Sequence, residues 1–116
     1  MMKLLKGIRD RYVINQAWKA RIPEFGASEV CRYRIRFSGR VQKVGFRLEV
    51  GELAKRLGLS GFCGNLPNGD VEAELQGEEE KILFLVKFME SLVRIRVREK
   101  TMEKIPVLAE VGFEKR

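Results

Sequence analysis

The clearest pattern in the chain is a period of two over residues 30–38. Val30, Arg32, Arg34, Arg36 and Ser38 fall on one side, and Cys31, Tyr33, Ile35 and Phe37 on the other. Alternation with one apolar face predicts a half-buried strand. The pattern then changes. Phe46, Val50, Leu53, Ala54 and Leu57 recur at helical spacing, which predicts a core-facing helix over 46–57. Gly58 follows where a C-terminal cap belongs. Residues 61–65 form a short apolar run, and Leu66-Pro67-Asn68-Gly69 is a turn signal. Val71, Ala73 and Leu75 then alternate with Glu72, Glu74 and Gln76 as the return strand of a hairpin.

A second helix is predicted from Glu78 to Met89. Its first turn is acidic, as the helix dipole favours, and Ile82, Leu85, Val86 and Met89 make its apolar stripe, with Phe84 and Phe88 beside it. Val93, Ile95 and Val97 alternating with Arg94, Arg96 and Arg98 predict another strand, and 107–113 a last short one. The order β-α-β-β-α-β corresponds to an α+β, ferredoxin-like (split β-α-β) sandwich: a four- to five-stranded antiparallel sheet with two helices on one face. Residues 30–116 are expected to form this domain. Residues 1–29 precede it as an extension, with a basic amphipathic helix up to about Trp18. In it Leu4, Leu5, Ile8 and Tyr12 fall at helical spacing, with Lys3, Lys6, Arg9 and Arg11 on other faces. Such a segment is expected to pack on its own domain or on a neighbour.

At 116 residues there is room for one domain with a true core. No apolar run approaches the length of a membrane span. Cys31 and Cys63 sit in separate predicted strands without paired spacing, so two buried thiols in a reducing, cytoplasmic compartment are expected. The net charge of +7 favours anionic partners. The chain has no histidine, which removes the usual neutral-pH general base and the commonest metal ligand. It also lacks a G-x-x-x-x-G-K-[ST] loop, a C-x-x-C pair, and a cysteine followed six residues later by arginine. Any chemistry is therefore expected to need no cofactor, metal or covalent cysteine or histidine intermediate.

The stretch that carries chemistry joins the first strand to the first helix: Ser38-Gly39-Arg40-Val41-Gln42-Lys43-Val44-Gly45-Phe46-Arg47. Glycines allow a tight turn whose N–H groups approach a ligand, and a helix N-terminus adds free donors and partial positive charge. Arg47 adds a guanidinium whose geometry matches phosphate oxygens. Taken alone, the stretch is equally compatible with a glycine-punctuated loop carrying a solvated arginine.

The run GRVQKVGFR (39–47), followed by LAKRLGLSGF (53–62) and GNLPNGDVEAELQG (64–77), closely resembles the acylphosphatase family. That family's pattern is G-x-V-Q-G-V-G-F-R, then A-x-x-L-G-L-x-G-[WFY]-V-x-N-x-x-[DN]-G-x-V-E. The resemblance spans about forty ordered positions with spacing intact; residues 80–116 match loosely and 1–29 not at all. It implies the ferredoxin-like fold and the metal-free hydrolysis of an acyl phosphate. It also implies that Arg47 clamps the phosphate and Asn65 orients the attacking water. The backbone N–H groups of Arg40, Val41, Gln42, Lys43, Val44 and Gly45 would form the anion nest. Without the resemblance, Asn65 reads as a turn residue. Two positions depart from the pattern. Lys43 stands where the family has glycine, and Arg94–Glu99 stands near the place of its Gly-Pro-x-x-A segment.

The alternative is a catalytically impaired domain of the same fold that binds anions or nucleic acid. Arg32, Arg34 and Arg36 share a face, which Arg94, Arg96 and Arg98 are expected to join, and such a surface can track a phosphate backbone. Glu72 and Glu74 share it as well, so a cross-strand charge network competes with that reading. Tyr33 and Phe37 alternate to the buried side, away from any bases that would need stacking.

Overall fold

The computed structural model describes residues 2–116. The chain order is α1 (Met2–Lys19), β1 (Val30–Arg40), α2 (Phe46–Leu57), β2 (Ser60–Asn65), β3 (Val71–Glu78), α3 (Glu79–Ser91), β4 (Arg96–Ile105) and β5 (Phe113–Lys115). The strands form one sheet in the order β4-β1-β3-β2-β5. From β1 to β4 this is the expected split β-α-β arrangement, with antiparallel pairs throughout. Strand β5 departs from it: it runs parallel to β2 and makes the sheet mixed.

The predicted stripes meet in one core. Ile35 and Phe37 of β1, Val71, Ala73 and Leu75 of β3, Val50, Leu53 and Leu57 of α2, and Ile82, Leu85 and Met89 of α3 are all buried. The rings of Phe37 and Phe46 stack tilted, with centroids 4.8 Å apart, so the first residue of α2 is clamped to the strand that leads into it. Gly58 ends α2 in the left-handed conformation at φ 69°, its N–H bonded back to the last turn.

Two C-terminal expectations are corrected. Leu92–Ile95 is a turn, closed by the Ile95 N–H on the Leu92 carbonyl, and Val93 stands exposed. The strand begins only at Arg96 and runs on to Ile105, where an edge position exposes most side chains and leaves little apolar alternation to read. Residues 107–111 are not a strand. The Gln76 side chain donates to the Leu108 carbonyl and accepts from its N–H, both at 2.8 Å. One amide thus satisfies the backbone that a ladder would otherwise pair, and the segment crosses the sheet before β5 forms.

Helix α1 packs on its own domain, against α2. The side chains of residues 1–5 lie outside the described residues, and with them the expected positions Lys3, Leu4 and Leu5. The buried face differs from the expected one. Ile8 and Tyr12 are exposed, whereas Val13 and Ala17 are fully buried. A β-carbon on Gly45 would fall 2.7 Å from Val13 Cγ2, so glycine there allows the helix to sit directly on the β1–α2 loop. Arg56 donates to the carbonyls of Ala17 (2.7 Å) and Ala20 (2.8 Å), satisfying acceptors at the C-terminal end of α1. Trp18 Nε1 donates to Glu52 at 3.0 Å. Val13→Ala is expected to destabilise the protein by about 2 kcal/mol, measured by denaturant unfolding, because it empties a fully buried contact between α1 and the loop.

Candidate active site

The β1–α2 loop, residues 41–45, is held by its carbonyls and side chains. Gln42 Nε2 donates to the carbonyls of Leu66 (2.9 Å) and Asp70 (2.8 Å), tying the loop to the β2–β3 hairpin. Arg9 Nη1 reaches the Lys43 carbonyl at 3.4 Å. Arg94 Nε donates to the Val44 carbonyl at 2.7 Å, and the Gly45 carbonyl accepts from Glu49 N–H at 3.0 Å. Among the described residues, no amide of residues 41–45 donates a hydrogen bond within the protein. Gly45 (φ 78°) is left-handed, and so is Lys43 (φ 63°), the one non-glycine residue with positive φ among those described. Backbone that mixes right- and left-handed residues in this way can form an anion-binding nest.

Val41, Lys43, Gly45 and Arg47 line one cavity of about 640 Å³ together with Asn65. Of the remaining loop residues expected to contribute amides, Gln42 turns its side chain to the hairpin, Val44 is buried, and Arg40 is exposed at the end of β1 opposite Arg96. Arg47 Nη1 donates to the backbone carbonyl of Arg116 at 3.1 Å. Asn65 is the last residue of β2, exposed and paired in register with Val71, so the hairpin presents it at the cavity rim. Cys63, two residues earlier, is fully buried, and burial pushes its thiol up to about 12 against the pull of the nearby Arg47 charge. A thiol so held stays protonated at neutral pH and is no nucleophile.

Behind the loop lies a group that sequence patterning missed. Arg94 was expected to share the outer sheet face with Arg96 and Arg98. It instead precedes β4 and turns inward, donating to the Val44 carbonyl, to Gln16 of α1 and, at 2.8 Å, to Glu49. Glu49 is fully buried. Burial pushes its carboxyl upward and Arg94 pulls it back, while its second oxygen has no partner among the described residues. The signal available in sequence was Glu49 itself, a charged residue one position before Val50 of the α2 stripe.

The three arginines of β1 form a charge network. Arg32, nearly inaccessible, pairs with Glu74 at 2.9 Å and with Glu110. Arg34 lies 3.4 Å from Glu74, and Arg36 lies 2.8 Å from Asp70. Cross-strand register places Arg34 opposite Glu74 and Arg36 opposite Glu72.

The model of the acylphosphatase family matches residues 33–115. The chain belongs to the acylphosphatase family. A protein named acylphosphatase from Pseudomonas paraeruginosa is 42% identical over 76 residues, covering 65% of this chain and 84% of its own. One from Rubrobacter xylanophilus is 41% identical over 92 residues, covering 78% of this chain and 84% of its own. The solved structure of an acylphosphatase from Coxiella burnetii superposes with a TM-score of 0.70 at 32% identity, covering 75% of this chain and 93% of that one. The family match begins within β1, so α1 and its contribution to the cavity lie outside it.

The left-handed conformation of Lys43 costs about 1–2 kcal/mol, offset in part by the greater freedom glycine has in the unfolded chain. Lys43→Gly is therefore expected to raise stability by about 1 kcal/mol in denaturant unfolding.

Proposed function

We propose that the protein is an acylphosphatase, hydrolysing acyl phosphates to a carboxylate and inorganic phosphate. The observation that carries this reading is the meeting of Val41, Lys43 and Gly45, whose amides are unpartnered, with Arg47 and Asn65 at one cavity. The phosphoryl oxygens take the backbone amides of residues 41–45 and the guanidinium of Arg47, whose Nη1 is steadied by the Arg116 carbonyl. Asn65 accepts a hydrogen bond from the attacking water and aims it at phosphorus. The water oxygen bonds to phosphorus as the bond from phosphorus to the acyl oxygen breaks, and the carboxylate leaves with that electron pair. The water's proton passes to a phosphoryl oxygen of the substrate.

A stable leaving group lets positioning and preorganised donors supply the catalysis, without a strong base. In this reading residues 30–116 form the catalytic domain and residues 1–29 an appended wall. The two unpaired, buried thiols support a cytoplasmic setting.

The test is hydrolysis of benzoyl phosphate by the purified protein. Turnover is expected to be unaffected by chelator and to fall about 100-fold in Arg47→Ala and in Asn65→Ala, each of which removes an oriented polar group from the transition state. A folded wild type without turnover, or turnover abolished by chelator, contradicts the proposal.

A further inference from the structure

Helix α1 brings Lys6, Arg9 and Asp10 to the cavity that holds Arg47 and Asn65. With Lys43, Arg47 and Lys115, the lining then carries five cationic side chains and a single carboxylate. That carboxylate, Asp10, is paired with Arg9 at 3.2 Å. An acyl phosphate group brings at most two negative charges, which the 41–45 amides and Arg47 receive in the proposed mechanism. Lys6, Lys43 and Lys115 remain, and no ion pair joins any of the three to a carboxylate among the described residues. Like charges gathered at one cavity repel one another and favour an anion between them.

The positive charge of α1 is held in place. Val13 is buried against Gly45 and Arg9 donates to the Lys43 carbonyl, so the helix is fastened to the loop at two points, with a third link from Gln16 through Arg94 to the Val44 carbonyl. Val41, Phe46 and Leu48 supply apolar lining to the same cavity. At about 640 Å³ the cavity is of the size that receives a whole small molecule, well beyond a phosphate with a two-carbon acyl group.

We propose that α1 supplies a second anion subsite, in which Lys6 and Lys43, with the Arg9 Nη N–H groups that Asp10 and the Lys43 carbonyl leave over, receive a negatively charged group on the acyl portion of the phosphorylated substrate. The site thus takes a molecule with phosphate at one end, an apolar middle and a carboxylate or phosphate at the other. This rests on the proposed hydrolytic reading for the substrate's phosphate end, while the subsite itself is a matter of charge at α1. It also assigns a use to the strained conformation of Lys43, a cost that functional sites retain.

The experiment compares 4-carboxybenzoyl phosphate with benzoyl phosphate, alike in ring and leaving group and differing by one distal charge. The wild type is expected to favour the carboxylated substrate by about tenfold in kcat/KM, chiefly through KM, with the preference shrinking as salt rises. Lys6→Ala and Arg9→Ala each reduce that ratio several-fold. Lys6→Glu with Arg9→Glu inverts it, favouring 4-(trimethylammonio)benzoyl phosphate, an outcome that a merely structural role for α1 would not produce. A wild-type ratio near one, or a ratio unmoved by charge reversal, overturns the subsite while leaving hydrolysis standing. Calorimetry with 4-carboxybenzylphosphonate and benzylphosphonate separates the two readings. If neither acyl phosphate turns over yet the carboxylated phosphonate binds more tightly through Lys6 and Arg9, the subsite stands and the hydrolytic reading falls. Equal binding of the two phosphonates overturns the subsite.

Discussion

The structure depends on how the 41–45 loop is fastened. Every anchor takes hold of a carbonyl or a side chain: Arg9 on Lys43, Arg94 on Val44, Glu49 on Gly45, and Gln42 on the hairpin carbonyls. The amides are left over. Backbone donors in a folded protein are nearly always paired, with protein or with water, so a run of unpaired N–H groups beside an arginine is a standing demand for an acceptor. Because the carbonyls of Lys43, Val44 and Gly45 are already held, the loop cannot easily turn to pair its own donors. Preorganisation of this kind lets hydrogen bonds to a phosphoryl group act without first rearranging the protein.

The anchors also couple the site to the rest of the fold. Arg94 touches the loop, α2 through Glu49 and α1 through Gln16. Glu49 has no exposure at all, and a buried carboxylate with one unpartnered oxygen is costly unless its cation stays in place. Losing Arg94 would strand that charge and release the Val44 carbonyl together. On the other side of the sheet, Arg32, Arg34 and Arg36 are matched by Glu74, Glu110 and Asp70. Of the basic residues in the two places, those at the cavity are the less well neutralised.

Much of this was legible in the sequence. The alternation of 30–38 and the stripe of 46–57 gave β1 and α2, and the ordered pattern from Gly39 to Gly77 identified the family and singled out Val41, Lys43, Gly45, Arg47 and Asn65, which line one cavity with residues of α1 and β5 that the pattern does not reach. What was not legible depends on contacts distant in sequence. The edge strand β4 has no apolar rhythm beyond Val97, because its side chains are mostly exposed. Residues 107–111 are apolar apart from Glu110, which reads as a strand, but the backbone of Leu108 is satisfied by Gln76, more than thirty residues away. In α1 the exposed Ile8 and Tyr12 resembled a core stripe, while the buried positions are the smaller Val13 and Ala17, and Val13 has its place because Gly45 carries no side chain. Arg94 read as one of three outward arginines, since a turn that breaks the period is invisible where the period itself continues.

The central claim is that the 41–45 amides and Arg47 together receive a phosphate. Its most direct test is to titrate ¹⁵N-labelled protein with inorganic phosphate at constant ionic strength and follow every amide and arginine Nε–H resonance. The account predicts saturable shifts concentrated on residues 41–45 and on Arg47 Nε–H. Shifts confined to the arginines of the outer sheet face, or spread weakly over the basic surface without saturation, would contradict it.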